Sequence, residues 1–192
     1  MPGFSSGVRP GGLYDSREIK VLICYMLAGV PEPLSRETVT EILTDGEMAN
    51  LFEISAAIDD LTALRNVTET DDGRLLLTDT GRALAAQLYD LIPYTLRNRS
   101  QKAAMKLLAR ARNEREADVT VTPLDRGFSV QCSIDKSDAP MMSFTLRVTD
   151  EAMAKTVRER FLDDPAAFYR ALIALSTGDY TDDDGKLVVE MR

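Results

Sequence analysis

The sequence predicts an α+β protein in which two folded parts are joined by a long helix. Up to about residue 116 the apolar side chains recur at helical spacing, and after it they alternate with polar ones, as in half-buried strands. Net charge divides the chain in a similar way, with −8 over residues 1–92, +5 over residues 93–116 and −5 over residues 117–192. We therefore predict an N-terminal domain at residues 16–92, a basic linking helix over the second range and a C-terminal domain over the third.

Residues 1–15 are rich in Gly, Pro and Ser and lack the apolar core of a signal peptide, so we predict a flexible tail there. No apolar run reaches the length that a transmembrane helix needs. The two cysteines, Cys24 and Cys132, lie far apart among apolar neighbours, which indicates buried thiols rather than a disulfide. These features are typical of a cytoplasmic protein without a membrane partner.

Two helices are predicted before residue 46. The first spans residues 16–28 and is capped by Asp15 or Ser16. The second spans residues 36–44 and is capped by Ser35. Each helix carries apolar residues at helical spacing, so one face of each is expected to pack inward.

A third helix is predicted after Asn50, an N-cap residue with Glu53 three positions further on, as in a capping box. Its apolar stripe consists of Leu51, Ile54, Ala57, Ile58, Leu61 and Leu64. Its exposed positions are expected to be Glu53, Ser55, Ala56, Asp59, Thr62 and Arg65. The outward face therefore mixes hydroxyl, acidic and basic side chains.

A β-hairpin and a fourth helix complete the N-terminal domain. The hairpin strands are residues 67–69 and 75–77. Asp72-Gly73 between them predicts a tight primed turn, because both residues tolerate a positive φ. The fourth helix follows the cap residue Thr78, and Gly81 in its first turn predicts a close approach to the hairpin.

The fourth helix is predicted to reach Leu91, and Pro93 begins a long fifth helix that ends near Arg115. The apolar stripe of this fifth helix is Leu96, Ala103, Leu107 and Ala111. Beside the stripe lies a basic face made of Arg99, Lys102, Lys106 and Arg110. These cations are suited to track a phosphate backbone, to pair with acidic residues of the adjoining domain or of a second subunit, or simply to be solvated.

The C-terminal domain is expected to be a small antiparallel sheet covered by helices. Its elements in chain order are strands near residues 119–122, at 128–134 and at 142–148, followed by helices at 150–162 and 164–176. A last strand is predicted at residues 187–191, after a solvated turn at residues 179–185.

Histidine is absent from the sequence, which excludes Ser-His and Cys-His catalysis and His-containing zinc sites. The Asp-rich residues 179–185 do not fit a calcium loop, which would need an acid at Tyr180 and a Glu at Met191. The sequence offers neither a nucleophile–base pair nor a Gly-rich loop for phosphate. We therefore expect a protein that is not an enzyme and that carries no cofactor or metal.

The predicted order of residues 16–92 is that of a winged helix-turn-helix domain. The run Leu75-Leu76-Leu77-Thr78-x-x-Gly81-Arg82 is similar to the junction between wing strand and helix in PadR-like and MarR-like winged-helix regulators. Together with Pro33-Leu34, Asn50-Leu51-Phe52 and Ala167-Phe168-Tyr169, it makes residues 14–175 resemble a bacterial family catalogued as domain of unknown function 4364. This resemblance implies a winged helix, an α/β C-terminal domain and DNA binding.

The first functional hypothesis is a DNA-binding transcriptional regulator whose third helix enters the major groove of duplex DNA. Ser55 and Thr62 would bond base edges. The phosphate contacts would come from Arg65, Arg74 and the basic face of helix five, namely Arg99, Lys102, Lys106 and Arg110. Five acidic residues oppose this hypothesis, namely Glu53, Asp59, Asp60, Asp71 and Asp72.

Two other hypotheses stay open. A winged-helix module for protein interaction or dimerisation, without DNA binding, suits the acidic charge of the N-terminal domain. A small-molecule sensor would instead use a pocket in the C-terminal sheet. A homodimer is expected under the two leading hypotheses, because helix five carries both an apolar stripe and charge.

Overall fold

The computed structural model describes residues 12–137, 139–178, 180–183 and 186–189, the last two ranges by their backbone only. The chain is α+β, as predicted, and it divides between Leu107 and Leu108 into two compact units. We refer to them as the N-terminal unit and the C-terminal unit. Within the described ranges, no helix combines the length and the apolar character that crossing a membrane requires.

The N-terminal unit begins with three helices that confirm the sequence prediction to within a residue. They are α1 (Ser16–Ala28), α2 (Arg36–Asp45) and α3 (Leu51–Ala63). Each is capped by a side chain that accepts a hydrogen bond from a backbone N–H. Asp15 accepts from Arg17 at 2.7 Å, Ser35 from Thr38 at 3.1 Å and Asn50 from Phe52 at 2.9 Å.

The N-terminal unit also contains a three-stranded antiparallel sheet, in which the strand order is β1-β3-β2. Its strands are β1 (Leu34–Ser35), β2 (Val67–Glu69) and β3 (Arg74–Leu77). The β2–β3 hairpin has the predicted register, with Val67 opposite Leu77. Strand β1 was not predicted, because its two residues form a strand only by pairing with the distant β3.

The predicted two-residue primed turn in the hairpin is wrong. Gly73 has a φ of +74°, whereas Asp72 has no positive φ. The loop spans three residues, since the Thr70 N–H donates to the Arg74 carbonyl at 2.9 Å and the Gly73 N–H donates to the Thr70 carbonyl at 2.9 Å. The Thr70 hydroxyl oxygen also accepts from the Arg74 N–H at 3.1 Å, which stabilises this wider loop.

Helix α4 (Asp79–Leu88) is shorter than predicted, because a 3-10 turn at Tyr89–Leu91 follows it. The predicted close packing at Gly81 is confirmed. A Cβ atom at Gly81 would lie 2.1 Å from the Asn66 carbonyl oxygen and 2.6 Å from Leu77 Cδ1. Only glycine therefore fits this contact between α4 and the base of the β2–β3 hairpin.

Helix α5 (Tyr94–Glu116) is present as predicted, but its predicted apolar stripe is only partly right. Leu96, Ser100 and Ala104 are buried, while Ala111 is exposed. Ser100 escaped the prediction because it is polar. Its hydroxyl donates to the Arg97 carbonyl at 3.0 Å, so it is buried without an unmet hydrogen bond.

The core of the N-terminal unit is built around α1, whose buried residues include Ile19, Leu22, Ile23 and Met26. Helix α3 buries Ile54, Ala57, Ile58 and Leu61, as predicted. Leu51 and Leu64 were predicted to belong to this stripe, but they lie at the helix ends and are 48 and 65% exposed. The core therefore uses only the two central turns of α3.

The prediction of a flexible tail needs a correction at its end. Leu13 is buried, and its N–H donates to the Met48 carbonyl at 2.7 Å. The remainder of the predicted tail, up to residue 11, lies outside the described residues.

The C-terminal unit contains the predicted antiparallel sheet, in the order β4-β5-β6. Its strands are β4 (Ala117–Pro123), β5 (Phe128–Ile134) and β6 (Met142–Val148), and the two helices after them are α6 (Glu151–Asp163) and α7 (Pro165–Thr177). The predicted helical cover lies on the inner face of the sheet. There, Phe161 of α6 is fully buried, and its ring lies 5.7 Å from that of Phe144 and 5.4 Å from that of Phe168.

A two-stranded hairpin follows α7, with β7 (Tyr180–Asp183) pairing antiparallel to β8 (Lys186–Val189). The prediction of a turn throughout residues 179–185 is therefore wrong, because four of these residues form a strand. Strand β8 agrees with the predicted last strand. Residues 179, 184–185 and 190–192, on which parts of these predictions fall, lie outside the described residues.

Candidate nucleic-acid interface

The outward face of α3 is positioned by the helices and the hairpin around it. The buried side of α3 faces α1 and α2, and β2 follows α3 after a short connection. Ser55, Ala56 and Asp59 are exposed on the opposite side, whereas Thr62 is half-buried. Phe52, in the first turn, is 78% exposed. Together these small, hydroxyl, acidic and apolar side chains form the surface that we call the α3 face.

The two residues predicted to contact base edges differ in whether their hydroxyl groups already donate a hydrogen bond within the chain. Ser55 is exposed, and no hydrogen bond from its hydroxyl to another described residue is present. The Thr62 hydroxyl donates to the Ile58 carbonyl at 2.9 Å, the preceding turn of the same helix. Its hydrogen is therefore in use, and only its oxygen lone pairs remain to accept a bond from a ligand.

The acidic residues of α3 are paired with cations of the neighbouring helices. Arg36 Nη1 of α2 lies 2.8 Å from Asp59 Oδ1, and Lys20 Nζ of α1 lies 2.6 Å from Asp60 Oδ2. Both carboxylates are more than half exposed, so these pairs contribute little to stability. They do, however, cancel the charge of two of the five acids that oppose DNA binding.

The hairpin carries a third such pair. Arg74 Nε lies 2.9 Å from Asp72 Oδ2, and both side chains are exposed. The hydrogen bond from the Thr70 hydroxyl lowers the pKa of Asp72, and the nearby Arg74 acts in the same direction. Arg74 thus lies near the tip of the hairpin, as predicted, and its positive charge is already balanced by that of Asp72.

Arg65 directly follows α3 and is exposed. In the part of the chain that the structure describes, no carboxylate pairs with its guanidinium. Of the two predicted phosphate contacts near α3 and the hairpin, Arg74 is paired with a described carboxylate and Arg65 is not.

The basic face of α5 is not a uniform surface. Arg99 Nη2 donates to the carbonyl of Gly46, the residue that ends α2. Lys102 and Lys106 are exposed. In the N-terminal unit, Arg99 therefore helps to satisfy the carbonyl at the end of α2.

Arg110 is predicted as a phosphate contact, but its charge is engaged by carboxylates of the chain rather than presented to solvent. Its side chain is 16% exposed and forms ion pairs with Glu114 at 2.8 Å, Glu159 at 2.7 Å and Asp163 at 2.8 Å. It also donates to the Glu159 carbonyl at 2.9 Å. Burial alone would lower the pKa of Arg110, but the hydrogen bonds to the three carboxylates outweigh burial and raise it. Arg110 is a link between α5 and α6 within the C-terminal unit.

The α3 face also includes features that the sequence analysis did not assign to the site. Phe52 was used only in the family resemblance, although its position a quarter-turn from Leu51 already placed it outside the apolar stripe. The roles of Lys20 and Arg36 depend on packing between helices, and no local pattern indicates them.

Other kinds of site find little support in the described ranges. No group of three potential metal ligands comes together there. Cys24 and Cys132 are free and buried, as predicted. Burial raises the pKa of Cys24 to about 12, and burial followed by the charge of Asp118 raises that of Cys132 to about 11. Neither thiol is thus a ready nucleophile.

On the inner face of the C-terminal sheet, within the described residues, the rings of Phe144, Phe161 and Phe168 pack against one another. A depression of about 610 Å³ lies at the β4–β5 turn and is lined by Pro123, Leu124, Asp125, Arg126 and Arg147. Its lining comes largely from an exposed turn. It is an open surface rather than an enclosed ligand site.

No curated protein and no solved structure matches the chain. One family model does, and its match extends over residues 19–175, through both units. It includes α3, the hairpin, the whole of α5 and the β4-β5-β6 sheet. The chain therefore belongs to the family described as Domain of unknown function (DUF4364).

Proposed function

We propose that the N-terminal unit is a winged helix that binds duplex DNA, and that the protein is a transcriptional regulator. In this proposal α3 enters the major groove and the β2–β3 hairpin is the wing. The observation that carries it is the placement of α3, which follows α2, precedes the hairpin and leaves the α3 face exposed. The pairing of β1 with β3, which joins the hairpin to the helices, supports the same arrangement.

The chemistry of the α3 face supports base contacts. In the major groove, hydroxyl groups bond to base edges, and apolar side chains contact the methyl group of thymine. Ser55 supplies an exposed hydroxyl, and Phe52 and Ala56 supply exposed apolar groups. Residues near the N-terminus of the inserted helix usually make such contacts, and these three lie in its first half.

The ion pairs of α3 answer the charge objection in part. An unpaired carboxylate facing the phosphate backbone would be repelled by it. Asp59 and Asp60 each lie within 2.8 Å of a cation, so each forms a neutral pair. The same cations, Arg36 and Lys20, become available for phosphate when DNA displaces their partners.

The proposal is tested by titrating the protein with duplex DNA of random sequence, at low and at higher salt. Binding that weakens steeply with salt is the expected result, because phosphate contacts release condensed counterions. Ser55→Glu places a negative charge in the middle of the α3 face and should weaken binding at least about tenfold. Gln87→Glu adds the same charge at an exposed position of α4 and serves as the matched control.

Two outcomes would contradict the proposal. The first is the absence of binding by the wild-type protein even at low salt. The second is an equal effect of Ser55→Glu and Gln87→Glu, which would show that the α3 face is not the contact.

A second candidate function is self-association through α3, without DNA. It is favoured by the exposure of Phe52, Leu51 and Leu64, at 78, 48 and 65%. Exposed large apolar residues are typical of protein interfaces. Sedimentation equilibrium would test it. If α3 mediates a dimer, Phe52→Ser should convert the dimer to a monomer, whereas a DNA-reading Phe52 would leave the mass unchanged.

A further inference from the structure

Arg65 occupies a position at which glycine is the usual residue. It ends α3 in a left-handed backbone conformation, with a φ of +56°. The Arg65 N–H donates to the Thr62 carbonyl at 3.0 Å, and the Asn66 N–H donates to the Leu61 carbonyl at 2.9 Å. These two bonds define a Schellman ending, whose left-handed residue is mostly glycine because a Cβ atom is disfavoured there.

The N-terminus of α4 holds this strained residue in place. The Thr78 hydroxyl lies 2.8 Å from the Arg65 carbonyl oxygen, and the Thr80 hydroxyl donates to the same oxygen at 3.0 Å. The Thr78 N–H donates to the next carbonyl, that of Asn66, at 3.1 Å. The backbone at Arg65 is therefore fixed from outside its own helix, and the direction in which its side chain leaves the chain is fixed with it.

Among the described residues, the structure shows no stabilising role for the Arg65 side chain in the fold. It is exposed, and among the described residues no carboxylate lies within ion-pair distance of it. Three other cations of the N-terminal unit behave differently, since Lys20, Arg36 and Arg74 are all paired. A strained residue with an unused side chain points to a ligand outside the chain.

We propose that Arg65 is a phosphate contact for the backbone of duplex DNA, presented by the α3–β2 junction. This inference rests on the proposed DNA-binding function. A guanidinium binds two phosphate oxygens through parallel hydrogen bonds, and a rigid backbone lowers the entropy lost when it does so. Arg65 then fixes the depth and register of α3 in the groove without reading sequence.

The experiment is a titration of Arg65→Gly and Arg65→Lys with random-sequence duplex DNA over a range of salt. Arg65→Gly removes the charge and relieves the left-handed strain, so its melting temperature should be equal to or above that of the wild type. Its affinity should fall by roughly three- to tenfold at low salt, and the slope of log Kd against log salt should decrease by about one. Arg65→Lys should keep the slope.

Glu47 provides the matched control, because it occupies the equivalent position after α2 with a φ of +50°. Glu47→Gly changes the same kind of backbone but removes a negative charge, so DNA affinity should not fall. If Arg65→Gly keeps the wild-type affinity and slope while DNA binding is intact, the inference about Arg65 is overturned and the proposed function stands. Equal losses in both glycine variants would assign the effect to the backbone and overturn it as well. No binding by the wild type would overturn both.

Discussion

Replacing Arg110 by alanine should destabilise the C-terminal unit by about 2 to 3 kcal/mol. Arg110 makes three ion pairs, and its partners Glu114, Glu159 and Asp163 are 50, 43 and 38% exposed. At that exposure each pair contributes about 0.5 kcal/mol, and the hydrogen bond to the Glu159 carbonyl adds about 1 kcal/mol. The substitution also leaves three carboxylates close together without a counter-charge.

Urea denaturation followed by circular dichroism measures this loss, since the chain has no tryptophan to report unfolding. The matched control is Arg112→Ala. Arg112 lies on the same helix and pairs with Glu116 at 2.9 Å, but its side chain is 70% exposed. The control should lose no more than about 0.5 kcal/mol.

Equal losses of stability in Arg110→Ala and Arg112→Ala would refute the reasoning. They would show that the burial of Arg110 and its three carboxylate partners add nothing to the free energy of unfolding. The salt dependence gives a second check. High salt should reduce the difference between wild type and Arg110→Ala only partly, since the Arg110 side chain is mostly buried and its ion pairs are less screened than a fully exposed pair.

Three further results are expected. Phe161→Ala should lower the free energy of unfolding by about 3 to 5 kcal/mol, because Phe161 is fully buried between two rings; a loss below about 1 kcal/mol would contradict this packing. Gly81→Ala should lower the free energy of unfolding by about 1 to 3 kcal/mol despite the higher helix propensity of alanine, because the added Cβ would meet the Asn66 carbonyl. A gain in melting temperature would show that the structure relaxes freely around this contact. The pKa of Cys24 is about 12 in the folded state against 9.0 ordinarily, so the unfolded chain loses this proton first as pH rises. The contribution of Cys24 to the free energy of unfolding is fully present below about pH 9 and falls above it by up to about 1.4 kcal/mol per pH unit. Denaturation curves at rising pH should therefore show a smaller loss of stability in Cys24→Ala than in the wild type. Equal losses in the two proteins would contradict the raised pKa of Cys24.

The helices and the long strands of this protein could be predicted because their signals are local. Asp15, Ser35 and Asn50 cap helices that begin where the sequence indicates. Alternation over seven residues identifies β5 and β6 without knowledge of their neighbours. Each of these elements contains enough residues for its period to be recognised.

Two features were missed because they depend on contacts between distant parts of the chain. Strand β1 exists only because Leu34 pairs with Leu75. For Arg110, the sequence left open whether it contacts phosphate, pairs with acidic residues or is solvated, because its partner Glu159 lies 49 residues away in sequence. The three-residue hairpin loop has a local cause instead, since it depends on side-chain bonds of Thr70 that a dipeptide rule does not include.

For the candidate site, the sequence located the outward residues of α3 but not their electrostatics. Ser55 and Asp59 are exposed as predicted. The sign and number of charges on the face could be counted, but not which of them are cancelled. That information lies in the packing of α1 and α2 against α3, which brings Lys20 and Arg36 to the carboxylates.

If the protein binds DNA as we propose, the ion pairs at the α3 face make that binding an exchange reaction. A phosphate that takes Arg36 from Asp59 sets free a sodium ion from the DNA, but the vacated carboxylate attracts another from solution. Such a contact contributes to the affinity while leaving the number of free ions nearly unchanged. The salt dependence of binding would therefore count the cations that stand without an internal partner, and it would underestimate the number of phosphates touched.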